Sequence, residues 1–259
     1  MSSGLRLTYI GGPTLLLELG GLRLLTDPTF DEAGAEFRAD AYVLRKTRGP
    51  ALVPASLGRI DAVLLSHDHH FDNLDAAGRA FLGSAGRVLT TEAGAERLGG
   101  GARGLAPWQT VELPAPDGRT VRVTATPARH GPAHADRGPV VGFVLALTDA
   151  VAHAVYLSGD TVWYDGVAEV SRRFSIRTAV LFMGAARVAA VGPWDLTFTA
   201  AEGVEAARAF AEATIVPVHF EDWEHFSESR PEIDRAFATA ELGHRLRWLP
   251  RGVVTADTN

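Results

Sequence analysis

The stretch Ala62-Val63-Leu64-Leu65-Ser66-His67-Asp68-His69-His70-Phe71-Asp72-Asn73 decides how the rest of the chain is read. An apolar run of strand length ends in three histidines and two carboxylates within six residues. A β-strand running into a short loop holds side chains in fixed positions at its carboxyl end, so such a cluster can converge on one point. Imidazole nitrogen with carboxylate oxygen suits zinc, manganese or iron, and without a thiolate the cluster is not a closed structural zinc site. The competing reading is a solvated loop with a turn-forming Asp-Asn pair, and the remaining strand ends decide between the two.

Upstream, Leu5 to Ile10, Thr14 to Leu19 and Leu22 to Thr26 read as short strands, with Gly20-Gly21 as a tight hairpin turn. The third runs into Thr26-Asp27-Pro28, where proline ends the element. Asp27 is placed either to orient a ligand histidine from behind or to cap the turn. Residues 30 to 60 are irregular, with Gly49-Pro50 and Pro54 as breakers, and read as a long loop covering part of a site.

Downstream, helices are expected over Leu74 to Leu82 and over Thr91 to Leu98, the second with Thr91 as N-cap. A hairpin around Asp117-Gly118 joins Thr110–Leu113 to Thr120–Thr126, whose end leads to Pro127-Ala128-Arg129-His130. The strand Ala154 to Leu157 leads to Ser158-Gly159-Asp160-Thr161, and Thr214 to Val218 delivers His219. Thr199 and Glu202 form a capping box for the helix before it, and Ser229-Arg230-Pro231 opens the last helix. Arg245 to Leu249 is the expected closing strand.

Four apolar runs therefore end in ligand-type residues: His67 to Asp72, His130, Asp160 and His219. With Tyr9-Ile10-Gly11-Gly12, Thr26-Asp27-Pro28 and Val216-Pro217-Val218-His219-Phe220, this pattern resembles the metallo-β-lactamase superfamily of hydrolases over nearly the whole chain. The segments Thr126 to His130 and Ser158 to Thr161 are most similar to the branch of ascorbate-phosphate lactonases and the phospholipase D acting on N-acyl-phosphatidylethanolamines.

The resemblance implies an α/β (α+β) fold: an αββα four-layer sandwich of two mixed sheets flanked by helices, as a single domain over 1–259. It also implies one or two divalent ions, zinc first with manganese or iron as alternatives. His130 matches the ligand of the first ion, Asp160 the carboxylate between two ions and His219 the ligand of the second. The first motif departs from the family's His-x-His-x-Asp-His. Set by the strand, the pair is His67 and His69; set by the motif's end, Asp68 takes the first place and His70 the second. The reading favours His70 and Asp72 as ligands, with His67 and Asp68 competing for the remaining place. Asn73 stands where the family has its last histidine.

The implied chemistry is hydrolysis of a small ester, lactone, amide or phosphodiester by metal-bound hydroxide, with Asp72 and Asp68 as candidate catalytic carboxylates. His225 is a candidate substrate contact or proton donor, Arg129 and Arg187 are possible anion contacts, and Trp163, Trp194 and Trp223 are possible pocket walls. Because Asn73 weakens the second position, a member that has lost hydrolysis and serves as a metal- or ligand-binding module is the alternative. An iron oxygenase or redox protein on the same fold is a third.

Composition narrows the partners. Forty-six per cent hydrophobic and 22% charged residues are ordinary for a globular chain of 259 residues that buries a sizeable core. A net charge of −6 gives no basic face for nucleic acid, and the absence of cysteine excludes disulfides, iron–sulfur clusters and thiol nucleophiles. No apolar run approaches the ~20 residues that span a bilayer, and Met1-Ser2-Ser3-Gly4 does not begin a signal peptide. A cytoplasmic protein acting on a small molecule is expected; its oligomeric state is not written in these patterns.

Overall fold

Alternation of side chains along the strands gives each sheet two apolar faces, so each must be covered twice. The computed structural model, which describes residues 4–39 and 41–256, satisfies this with four layers. Strands β1 (Arg6–Gly11), β2 (Thr14–Leu19) and β3 (Leu22–Thr26) form an antiparallel meander. Gly20 and Gly21 take φ of 61° and 84° between β2 and β3, the left-handed pair that a two-residue hairpin turn requires. A small hairpin follows, β4 (Glu36–Arg38) with β5 (Val43–Arg45). Then come β6 (Ala62–Leu64), helix α1 (Ala76–Phe81), β7 (Val88–Thr90), helix α2 (Glu92–Leu98) and the short β8 (Arg103–Gly104). Strands β3, β6, β7 and β8 run parallel and complete the first sheet.

The second sheet begins with β9 (Thr110–Pro114), β10 (Thr120–Pro127), β11 (Val141–Leu147) and β12 (Ala154–Leu157), all antiparallel neighbours. Helix α3 (Asp165–Arg173), β13 (Ile176–Phe182), helix α4 (Ala200–Ala209) and β14 (Thr214–Val218) add parallel crossovers. Helix α5 (Arg230–Thr239) and β15 (Val254–Ala256) end the chain, β15 pairing with β1 in the first sheet.

The layers follow from sequence parity. Leu7, Tyr9, Leu15, Leu17, Leu24 and Leu64 of the first sheet meet Val121, Val123, Phe143, Leu145, Leu157 and Val218 of the second in the central core. Their sequence neighbours Ile10, Leu16, Leu25 and Val63 face outward under α1 and α2. On the other side Val144, Tyr156, Leu181 and Ile215 pack under α3, α4 and α5. This is the expected αββα sandwich of two mixed sheets.

Two expectations need correction. The expected long loop over residues 30–60 contains the β4–β5 hairpin, fastened by a buried ion pair in which Lys46 Nζ lies 2.9 Å from Asp75 Oδ2. The Asp75 carboxylate also accepts from the backbone amides of Phe30, Asp31 and Gly78, so its charge is fully engaged and it caps α1. The expected closing strand, Arg245 to Leu249, touches β14 only through a single bridge at Leu246. The Arg245 guanidinium is drawn instead to the carbonyls of Ala207, Phe210 and Ala213 behind α4, β14 remains the edge of the second sheet, and the last strand, β15, is added to the first. No helix among the described residues is long and apolar enough to cross a membrane.

Candidate metal centre

The carboxyl ends of β6, β10, β12 and β14 open onto one edge of the sandwich, and each carries a ligand-type side chain into it. Gly159 makes the close approach possible: at φ 59° a Cβ there would stand 2.8 Å from Ser66 Cβ and from the Val141 carbonyl. The amide of Val141 donates to the carbonyl of Ser66, tying the second sheet to the turn after β6.

Three imidazoles form the first cluster. His70 Nδ1 lies 2.9 Å from His67 Nε2 and 3.1 Å from His130 Nε2. His130 Nδ1 donates to the carbonyl of Leu196 at 2.8 Å, which leaves Nε2 as a lone pair. Ser66 Oγ donates to Asp27 Oδ1 at 2.6 Å and accepts from His67 Nδ1 at 2.9 Å, so His67 too presents a bare Nε2. Burial, reinforced by the neighbouring imidazoles, holds both His67 and His70 well below the ordinary histidine pKa. Neutral rings with their lone pairs turned to one point fit a divalent cation, which takes ring nitrogens at about 2.0–2.1 Å. Asp27 is the residue behind His67, acting through Ser66; burial raises its pKa to about 8 against the opposing bonds from Ser66.

The second cluster is Asp72, Asp160 and His219, all buried. His219 Nε2 stands 3.5 Å from Asp72 Oδ2 and 3.4 Å from Asp160 Oδ1. Burial opposes a charge on His219, but the Asp160 and Asp72 carboxylates outweigh it and push its pKa up to about 10. The same attraction, with His225 added at Asp72, overcomes burial and holds both carboxylates below their usual range. Asp160 reaches both clusters, its Oδ2 lying 3.5 Å from His130 Nε2. Asp160 Oδ2, both ring nitrogens of His219 and Asn73 Oδ1 are buried without a hydrogen-bond partner among the described residues. Unpaired buried polar atoms are costly, and a cation among them would satisfy several at once.

The two readings of the first motif are reconciled by geometry. His67, one of the strand-set pair His67 and His69, and His70 and Asp72, set by the motif's end, are the side chains brought into the two clusters. His69 is the side chain turned away, its Nε2 2.9 Å from the carbonyl of Arg137. Asp68 is the correction. Its carboxylate is gripped by Arg97 at 2.5 and 2.9 Å, outside both clusters, so it competes for no ligand place and has no free oxygen to act as a catalytic carboxylate. Asn73 does face the site, donating from Nδ2 to Asp160 Oδ1 at 3.2 Å. His225 is drawn in as well, with Nε2 3.0 Å from Asp72 Oδ2.

Other expected contacts are engaged elsewhere. Arg129 lies over the Tyr164 ring and bonds the Gly131 carbonyl, and Arg187 pairs with Asp195. Trp223 packs on Phe37, Trp163 against the outer core of the second sheet and Trp194 on His134; none of the three lines the cavity over the clusters. His70, Asp72, His130 and His225 contribute to it from the clusters, and Leu44, Val188, Val191 and Leu196 supply apolar surface. Tyr42 and Arg137 complete the polar lining. Sequence reasoning missed Arg137 and the hairpin residues Tyr42 and Leu44. The only signal for Arg137 was its place in the loop that begins at His130.

Comparison with known proteins agrees with this architecture. The family model described as "Beta-lactamase superfamily domain" matches residues 22–220. A UPF0173 metal-dependent hydrolase of Opitutus terrae is 30% identical over 229 residues, covering 83% of this chain and 85% of that protein. An uncharacterized protein of Mycobacterium tuberculosis is 36% identical over 74 residues, which span 29% of this chain and only 19% of that longer relative. Among solved structures, the isothiocyanate hydrolase from Delia radicum gut bacteria superimposes with a TM-score of 0.79 at 24% identity, covering 97% of this chain and 98% of that one. A possible metal-dependent hydrolase from Veillonella parvula gives 0.84 at 19% identity, over 98% of this chain and all of the other. The match over residues 22–220, on a four-layer sandwich whose strand ends gather these histidines and aspartates, places the chain in the β-lactamase superfamily domain family, with the metallo-β-lactamase fold.

Proposed function

We propose that the chain, as one metallo-β-lactamase-type domain, is a metal-dependent hydrolase of a small ester, lactone, amide or phosphodiester. The observation that carries the reading is the convergence of His67 Nε2, His70 Nδ1 and His130 Nε2 within hydrogen-bond distance of one another, with the far nitrogens of His67 and His130 committed to Ser66 and Leu196. His67, His70 and His130 are the residues that would hold the first ion, zinc being the one that three imidazoles favour. Asp72, Asp160 and His219 would hold a second, with Asp160 between the two and the Asn73 amide oxygen in reserve. A divalent ion there supplies Lewis acidity, polarising the substrate's carbonyl or phosphoryl oxygen and bringing the ionisation of water into the neutral range.

The chain's own groups do the rest. Asp72 stays ionised against its burial, held so by His225 and His219, and with the second position empty it would orient a water by accepting its hydrogen bond. His225 Nε2 lies 3.0 Å from Asp72 Oδ2 and fixes the carboxylate in place. Leu44, Val188, Val191 and Leu196 give the cavity over the clusters an apolar wall where a substrate would sit. The metal-dependent hydrolase of Opitutus terrae, similar over most of both chains, supports the same chemistry.

The test is elemental analysis of protein purified without chelator, followed by a screen of lactones, esters and phosphodiesters with and without chelator. Bound zinc or manganese and chelator-sensitive hydrolysis are expected. A chain that takes up metal but turns over none of these classes would fit the binding-module reading instead.

A further inference from the structure

Among the described residues, Arg137 is the one arginine or lysine of the cavity lining. Its backbone is clamped on both sides by the site: its amide donates to the His130 carbonyl at 3.0 Å, and its carbonyl meets His69 Nε2 at 2.9 Å. The half-buried guanidinium makes no ion pair or hydrogen bond among the described residues. Every other arginine or lysine weighed near the site is committed: Lys46 to Asp75, Arg97 to Asp68, Arg129 to Tyr164 and the Gly131 carbonyl, and Arg187 to Asp195. The neighbouring Asp136 does not neutralise it, being exposed and accepting from the amide of Gly138.

Arg137 also lies where two spaces meet. With Tyr42 and Val191 it lines both the cavity over the clusters and an adjoining recess of about 320 Å³. Its planar fork of donors suits carboxylate or phosphate oxygens, and half-burial spares such a contact much of the screening of open water. The same cavity takes apolar lining from Leu44, Val191 and Leu196.

We infer that the substrate is a small anion, carrying a carboxylate or phosphate that Arg137 binds at one end and its scissile bond at the other, with a few apolar carbons between. This rests on the hydrolase reading for the scissile end. The anionic end rests on Arg137 alone.

Binding of glutarate and of butyrate to the zinc-loaded protein, measured by calorimetry, separates the two ends. Both ligands offer one carboxylate to the clusters, and only glutarate has a second to reach Arg137. Wild type is expected to bind glutarate about tenfold or more tighter than butyrate, the size of a charged hydrogen-bonded contact. In Arg137→Gln the preference should vanish with zinc content and butyrate affinity unchanged, and Arg137→Lys should keep part of it. Substituting 3-phosphonopropionate for glutarate decides between phosphate and carboxylate. An equal preference in wild type and Arg137→Gln, or none in wild type, overturns the inference. If the glutarate preference depends on Arg137 but no ester, lactone, amide or phosphodiester is hydrolysed, the anion site stands and the hydrolase reading falls.

Discussion

The two clusters at the sheet edge share Asp160 but are built on different principles. The His67–His70–His130 cluster is all nitrogen, with His67 and His70 held well below the ordinary histidine pKa by burial, and is oriented from behind by Ser66, Asp27 and the Leu196 carbonyl. The Asp72–Asp160–His219 cluster is rich in oxygen and charged, and it leaves buried atoms of Asp160, His219 and Asn73 unpaired. A set of ring nitrogens already turned to one point needs little rearrangement to bind. A set whose histidine is protonated by its own carboxylates must release a proton before it can ligate. The lesson is that the substitution at Asn73 falls on the half of the site already less prepared, so the two positions should differ widely in affinity.

The largest effect should come from dismantling the first cluster. His130→Ala is expected to lose the tightly held ion and reduce hydrolysis by about a thousandfold, as the loss of several kcal/mol of electrostatic stabilisation implies. Circular dichroism should be unchanged, because His130 sits at the sheet edge and outside the apolar core. Retained activity would mean that the second cluster carries the chemistry. Next, Ser66→Ala removes the hydroxyl between Asp27 and His67. Ten- to hundredfold weaker metal binding is expected, the usual cost of losing a group that orients a ligand histidine, roughly by that factor. An unaltered affinity would show that His67 needs no orientation.

Asn73→His sharpens the comparison from the other side. An imidazole in place of the amide should tighten the second equivalent of metal in a titration while leaving the first as it was. No change in the second step would mean that residue 73 does not reach that position. Smallest of all is Asp68→Asn, which should leave metal content and turnover untouched, since Asp68 is held by Arg97 outside both clusters. Lost metal in that variant would break the assignment of the first motif.

Much of the architecture was legible because it is local. Period-two alternation marked the strands, Gly20-Gly21 the hairpin, Thr91 an N-cap and Thr199 with Glu202 a capping box, each a matter of a few neighbouring residues. The four strand ends could be read for the same reason. The register of His67 to Asn73 could not, because spacing alone does not say whether a turn expels one residue; the bond from His69 to the distant carbonyl of Arg137 decides that. The β4–β5 hairpin was hidden by strands of three residues and by its dependence on Lys46 and Asp75, far apart in sequence. Arg137 was invisible because what distinguishes it is the partner it lacks, and only packing reveals that.

The most direct measurement is an anomalous difference map at the zinc absorption edge from crystals grown with stoichiometric zinc. The account predicts one strong peak enclosed by His67 Nε2, His70 Nδ1 and His130 Nε2, with a weaker peak or none beside Asp72, Asp160 and His219. A strong peak at the second cluster alone, or no peak at either, would contradict it.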